Sequence, residues 1–202
     1  MSNAHSSLIL ASTSQYRREI LAKLALAFIQ VRPDFDEIPL EGEAPVAMAK
    51  RFAAGKAMAV ASDPHYIAPE NLVIGSDQVV VVNNQVLGKP GNPQRARAQL
   101  LLCSDQWVTY TSAFCLACAG NILVLEHEDY AVKFRPLSGA EIDRYIDLEQ
   151  PFDCAGSIKA EGLGIALMEE TRGQDINTLY GLPLMRLAQR LRERQIDSLK
   201  QP

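Results

Sequence analysis

Basic excess is the first thing this chain lacks: Asp and Glu outnumber Lys and Arg by 24 to 20, for a formal charge of −4. General nucleic-acid and membrane-surface binders carry a positive surplus, so neither partner is expected, and any anionic ligand must meet a local basic cluster. Histidine is scarce: His5, His65 and His127 are scattered over an expected tail, turn and strand edge, and receive no catalytic role. Of the cysteines only Cys115 and Cys118 are closely spaced. With no second pair and no histidines at ligand spacing, they do not make a zinc site. Their place in the apolar run Ala113–Ala119 reads as buried, reduced thiols, hence a cytoplasmic compartment. Long apolar runs are absent too. Nothing is long enough to cross a bilayer, and Leu8–Ala11 is too short for a signal peptide and is followed by Arg17 and Arg18.

What is present is an alternation of strand and helix patterns with no repeat, low-complexity stretch or linker. Ser7–Ala11 reads as a strand, Ser12-Thr13-Ser14 as a turn, and Tyr16, Ile20 and Leu24 as one face of a helix. A strand over Phe28–Val31 precedes an acidic loop, Asp34 to Pro39, and a helix from Pro45 to about Ser62 with Val46, Ala49, Ala53, Ala57 and Val60 inward. Asn71–Gly75 reads as a buried strand ending at Ser76-Asp77-Gln78, followed by a hairpin of Val79–Val82 and Gln85–Leu87 turned at Asn83-Asn84. A helix from about Asn92 to Cys103 leads to two long antiparallel strands, Trp107–Cys118 and Ile122–Phe134, joined at Gly120-Asn121. Ser138-x-x-Glu141 is a capping box for a helix with Ile142, Tyr145 and Ile146 inward, and a last helix runs from about Pro183 to Glu193. The pattern predicts one α/β domain over residues 7–197, with two lobes around a cleft and tails at 1–6 and 198–202.

Several residues suit phosphate chemistry. Ser12, Ser14, Arg17 and Arg18 place two hydroxyls, free backbone amides and two guanidiniums at a strand-to-helix turn, where the helix N-terminus favours an anion. The same pattern suits a plain N-cap with solvated arginines. Asp77, placed after an apolar strand, can take a proton from water or hold a metal ion, or merely cap a turn. Lys89 is framed by Gly88 and Pro90, whereas Lys56 on a helix face has the weaker case. The carboxylates Asp36 and Glu37 suit Mg²⁺, and suit equally a solvated loop.

Taken together, Leu10-Ala-Ser-Thr-Ser-Gln-Tyr-Arg-Arg18, Asp36-Glu37, Gly55-Lys56-Ala57, Gly75-Ser-Asp-Gln78, Gly88-Lys-Pro90, Ala155-Gly156-Ser157, Glu161-Gly162 and Asn177-Thr178-x-x-Gly181-Leu-Pro183 resemble the Maf family of nucleotide pyrophosphatases from Leu8 to about Arg194. The resemblance implies an elongated twisted mixed sheet flanked by helices, like that of inosine-triphosphate pyrophosphatases. By position, Asp77 would accept the proton, Ser12, Ser14, Arg17, Arg18, Lys56 and Lys89 would hold phosphates, and Glu37 with Asp77 would bind Mg²⁺ or Mn²⁺. A homodimer is usual for the resemblance. Branches that hydrolyse dTTP and UTP show Arg, Thr and Gln where this chain has Tyr16, Gln78 and Glu161, which resemble the branch acting on 7-methyl-GTP. Gln15 stands where proline is common and Tyr16 where tryptophan is. Glu161 could accept the N1–H and N2–H of guanine, and Tyr16 could face the positive charge that N7-methylation creates. Without the resemblance, packing of Tyr16 and a loop position for Glu161 explain both equally. The competing expectations are a dTTP/UTP or other nucleotide pyrophosphatase, and a non-hydrolytic nucleotide-binding regulator of septum formation.

Overall fold

A computed structural model describes residues 7–200; the expected N-terminal tail, with His5, lies outside the described residues, as do 201–202. The architecture is α/β: an open, mixed seven-stranded sheet flanked by helices. In chain order the elements are β1 Ser7–Ala11, α1 Gln15–Ala22, β2 Phe28–Val31, α2 Pro45–Ala61, β3 Asn71–Val82, β4 Gln85–Leu87, α3 Pro93–Cys103, β5 Trp107–Cys118, β6 Asn121–Phe134, α4 Gly139–Glu149, β7 Met168–Arg172, α5 Ile176–Leu179 and α6 Leu184–Arg192. The sheet order is β2-β1-β3-β5-β6-β7, with β4 paired to β3. β2, β1 and β3 run parallel, and β3, β5, β6 and β7 alternate direction.

Contrary to the expectation that Asp77 follows a strand, it sits inside β3, one uninterrupted strand of 12 residues. The physical reason is that β5 pairs with β3 continuously from Val73 to Val82, so Ser76-Asp77-Gln78 stay in the ladder. On the opposite edge of β3, β1 stops pairing at Gly75 and β4 starts at Val80. Residues 76–79 therefore face a gap in the sheet, and it is the end of β1, not of β3, that creates the opening at a change of strand direction.

Strand alternation splits this region between two faces. Val73, Val79 and Cys115 pack with α2 residues Ala49, Phe52, Ala53 and Ala57. Ile74, Phe114 and Leu116 pack with Ile20 and Leu21 of α1 and Leu187 of α6. Asp77 shares the α2 face, and Gln78 the other. The Cys115 and Cys118 thiols consequently join different clusters and are free. Gly75 is what lets α2 lie flat on β3: a Cβ there would stand 2.2 Å from the Ala53 carbonyl oxygen and 2.6 Å from the Ala57 nitrogen. Gly75→Ala is expected to cost about 1–3 kcal/mol of stability by overpacking, read as a lowered urea midpoint.

Three further local features differ from the sequence reading. β7 was not anticipated, because Met-Glu-Glu-Thr-Arg has no apolar alternation and forms a largely exposed edge strand. The turn between β5 and β6 falls at Ala119-Gly120, both at positive φ, one residue earlier than the Gly120-Asn121 expectation. Val46 is only partly buried, and the inward face of α2 instead includes Met48, Phe52 and Lys56.

Candidate active site

A cleft of about 1040 Å³ opens at the gap beside β3 and reaches both faces of the sheet. On the α2 face it is lined by Asp77, Lys56, Glu37, Phe35, Phe52 and Met48; on the other by Gln78, Leu179, Tyr180, Gly181 and Tyr16. Ser12, Ser14, Arg17, Lys89, Cys154 and Glu161 also line it. The expected site residues are thus brought together except Asp36, exposed on its loop, and Arg18, which is exposed on α1; neither lines the cleft. For Arg18 the reason is helical geometry: adjacent residues point about 100° apart, so the face that turns Arg17 inward turns Arg18 out.

The centre of the site is an ion triplet. Lys56 is buried, and its Nζ lies 2.7 Å from Asp77 Oδ1 and 2.7 Å from Glu37 Oε1. Sequence reasoning gave Lys56 the weaker case because a helix lysine is usually solvated. The missing signal was Gly75, which brings α2 against β3 and its Lys56 alongside Asp77. Burial pushes the Asp77 carboxyl above its ordinary range despite the opposing charges of Lys56 and Arg17. Burial also acts to raise Glu37, but the hydrogen bond and charge of Lys56, with Arg17 and Lys89, hold it below its usual value. One carboxylate is thereby suited to receive a proton and the other to remain charged. Replacing Lys56 by Met removes the main counter-charge to Asp77. The acid limb of the pH–kcat/KM profile is then expected to move to higher pH.

The turn after β1 differs in detail from the expectation of free amides. The Ser14 N–H donates to Ser12 Oγ (3.1 Å) and the Arg17 N–H to Ser14 Oγ (3.3 Å), so Ser14 is an N-cap and both amides are engaged. Each serine hydroxyl accepts in these bonds, which leaves its hydrogen available to donate to a phosphate oxygen. Arg17 Nε donates to the Gly181 carbonyl (3.1 Å), fixing the guanidinium at the cleft wall. Lys89 is exposed at the rim and makes no ion pair with a described residue.

Sequence reasoning missed the scaffold that carries the opposite wall. Gln78 Nε2 donates to the carbonyls of Thr178 (2.9 Å) and Leu179 (3.0 Å) and to Ser112 Oγ (3.1 Å). Ser112 Oγ donates to the Thr178 carbonyl (2.7 Å) and Ser76 Oγ to that of Gly181 (3.0 Å). Buried Asp175 caps α5, accepting from the Asn177 N–H (2.9 Å) and the Met185 N–H (2.7 Å). The Asn177-Thr178-x-x-Gly181 motif is accordingly a strapped loop, and Gln78 spends its amide hydrogens on it. Only its side-chain oxygen remains to meet a ligand.

At the far end, the Cys154 thiol donates to the Tyr16 hydroxyl at 3.6 Å. Burial, and then Cys154, raise the Tyr16 phenol above its ordinary value. Cys154 is itself pushed up to about 12, mainly by burial, so the thiol is protonated and orients the ring rather than acting as a nucleophile. Glu161 is exposed at its rim, but partial burial of its carboxylate raises it, and Glu149 and Glu19 add to the effect.

No three His, Cys, Asp or Glu side chains among the described residues are grouped to hold a metal ion. The two carboxylates around Lys56 Nζ nevertheless mark a point where positive charge is held between hard oxygen donors. That set fits Mg²⁺, which is normally held by one or two carboxylates together with phosphate oxygens and water.

The sequence model of a family described as Maf-like protein matches residues 7–194. A 7-methyl-GTP pyrophosphatase of Chromohalobacter salexigens is 46% identical over 193 residues, 95% of this chain and 98% of its own. One of Alcanivorax borkumensis is 47% identical over 191 residues, 94% of each chain. Among solved structures, a HAM1 protein from Coxiella burnetii is similar over 63% of this chain and 72% of its own, with a TM-score of 0.45 and 16% identity.

Proposed function

The chain belongs to the Maf family, and from that premise we propose that it hydrolyses 7-methyl-GTP to 7-methyl-GMP and pyrophosphate, as the names of its relatives indicate for them. The observation that carries the reading is the Asp77–Lys56–Glu37 triplet, set in one cleft with Tyr16 and Glu161. Residues 7–197 form the functional unit.

The triphosphate lies along the turn of Ser12 and Ser14, whose hydroxyl hydrogens meet its oxygens, with Arg17 and Lys89 supplying positive charge. Asp77, ionised beside Lys56, accepts a proton from the attacking water. That water adds to the α-phosphorus, and the bond to the bridging oxygen toward the β-phosphate breaks, releasing pyrophosphate. Lys56 holds the Asp77 carboxylate in place and offsets charge in the transition state. A bound Mg²⁺ or Mn²⁺, held by Glu37 and Asp77 with phosphate oxygens, would neutralise charge on the phosphates. The base sits on the Gln78 side of the gap. Glu161 accepts from N1–H and N2–H of guanine, and the ring of Tyr16 faces the positive charge of the methylated base, worth about 0.5–2 kcal/mol.

A panel of 7-methyl-GTP, GTP, dTTP and UTP, assayed for pyrophosphate with Mg²⁺ or Mn²⁺, tests the proposal. Highest kcat/KM is expected for 7-methyl-GTP. Preference for dTTP or UTP would transfer the chain to the other substrate class, and binding without turnover would favour a regulator.

A further inference from the structure

We propose that Arg32, a residue with no assigned role, grips the terminal phosphate of the bound triphosphate and so sets the affinity for the departing pyrophosphate. The inference rests on cleavage of a nucleoside triphosphate in this cleft, but not on which base is read. Arg32 directly follows β2, whose last residue, Val31, pairs with Ala11; the Val31 carbonyl accepts from the Ser12 N–H at 3.0 Å. The parallel register therefore sets Arg32 beside the Ser12–Ser14 turn, at the start of the loop that carries Glu37. It lines the cleft, and its guanidinium makes no hydrogen bond or ion pair with any described residue.

Of the other cations, Lys89 at the rim makes no ion pair with a described residue, while the rest are committed or lie outside the cleft. Lys56 is shared by two carboxylates, Arg17 gives its Nε to Gly181, and Arg18 lies outside the cleft. Lys56 is buried against Asp77 and Arg17 is tied to the cleft wall at Gly181, so these two stand at the reacting end. Arg32, exposed where β2 ends beside the Ser12–Ser14 turn, is assigned to the outer end, where the terminal phosphate has three free oxygens. A planar guanidinium with parallel N–H donors matches that group.

The test is calorimetric titration of inorganic tripolyphosphate with Mg²⁺ into the wild type and Arg32→Gln, which involves no base. In parallel, KM and kcat for 7-methyl-GTP are compared with the inhibition constant of 7-methyl-GDP, which lacks the terminal phosphate. In Arg32→Gln, tripolyphosphate affinity is expected to fall about 10-fold and the KM for 7-methyl-GTP to rise about 10-fold, with kcat within about 2-fold and 7-methyl-GDP inhibition unchanged. Unchanged tripolyphosphate affinity, no tripolyphosphate binding by the wild type, or an equal loss for 7-methyl-GDP would overturn the assignment. Failure of 7-methyl-GTP alone to be a substrate leaves the calorimetric comparison standing and counts only against the base reading.

Discussion

Asp77→Asn is expected to lower turnover by about 10³-fold or more while the urea midpoint stays close to that of the wild type. The substitution keeps the side chain's size, and its amide oxygen can still accept from Lys56, which also retains Glu37 as a partner. Removing a proton acceptor from the reacting water has no such compensation. Asparagine cannot receive the proton, and it brings no negative charge to hold a metal or orient water. Pyrophosphate release and denaturant unfolding, measured on the same preparation, separate the two effects. Turnover like the wild type would remove Asp77 from the mechanism. Loss of activity together with collapse of the fold would make Asp77 a structural tie for Lys56 rather than a base.

Glu161→Gln is expected to reduce kcat/KM for 7-methyl-GTP by about 10- to 100-fold and to shift preference toward UTP and dTTP. A carboxylate can accept both edge donors of guanine and complement the positive base, whereas a carboxamide accepts at one atom and presents a donor at the other. The pH dependence supplies a second readout. Partial burial raises Glu161, so its charge is lost as pH falls at a higher pH than for an ordinary glutamate. Asp77 is raised as well, but its protonation slows every substrate alike. The ratio of kcat/KM for 7-methyl-GTP to that for UTP is therefore expected to fall toward acid in the wild type and to stay level in Glu161→Gln. An unchanged substrate ranking in the variant would count against the base-reading argument.

Most of the frame was legible in the sequence because its strands and helices carry strong local periodicity. β1, β2, the β3–β4 hairpin and α2 to within a residue, and the capping box at Ser138, all follow from apolar spacing and turn residues. Pairing was not legible. Seen alone, Gly75-Ser76-Asp77-Gln78 reads as the end of a strand, and only the β5 ladder keeps it extended. Lys56 looked like a solvated helix lysine until Gly75 put α2 on the sheet, and Arg32 drew no notice because nothing local tells that Val31 lies level with Ala11. Arg18 was carried in by its neighbour Arg17, and helical geometry separates the two. The straps from Gln78, Ser112 and Ser76 to the Thr178–Gly181 loop join residues far apart in the chain, so their hydroxyls and amide gave no sign of a shared task.

The central claim is that water attacks the α-phosphorus, and hydrolysis in ¹⁸O-enriched water followed by mass spectrometry of both products tests it most directly. The account predicts one ¹⁸O atom in 7-methyl-GMP and none in pyrophosphate. Label in the pyrophosphate, or release of orthophosphate in its place, would contradict it.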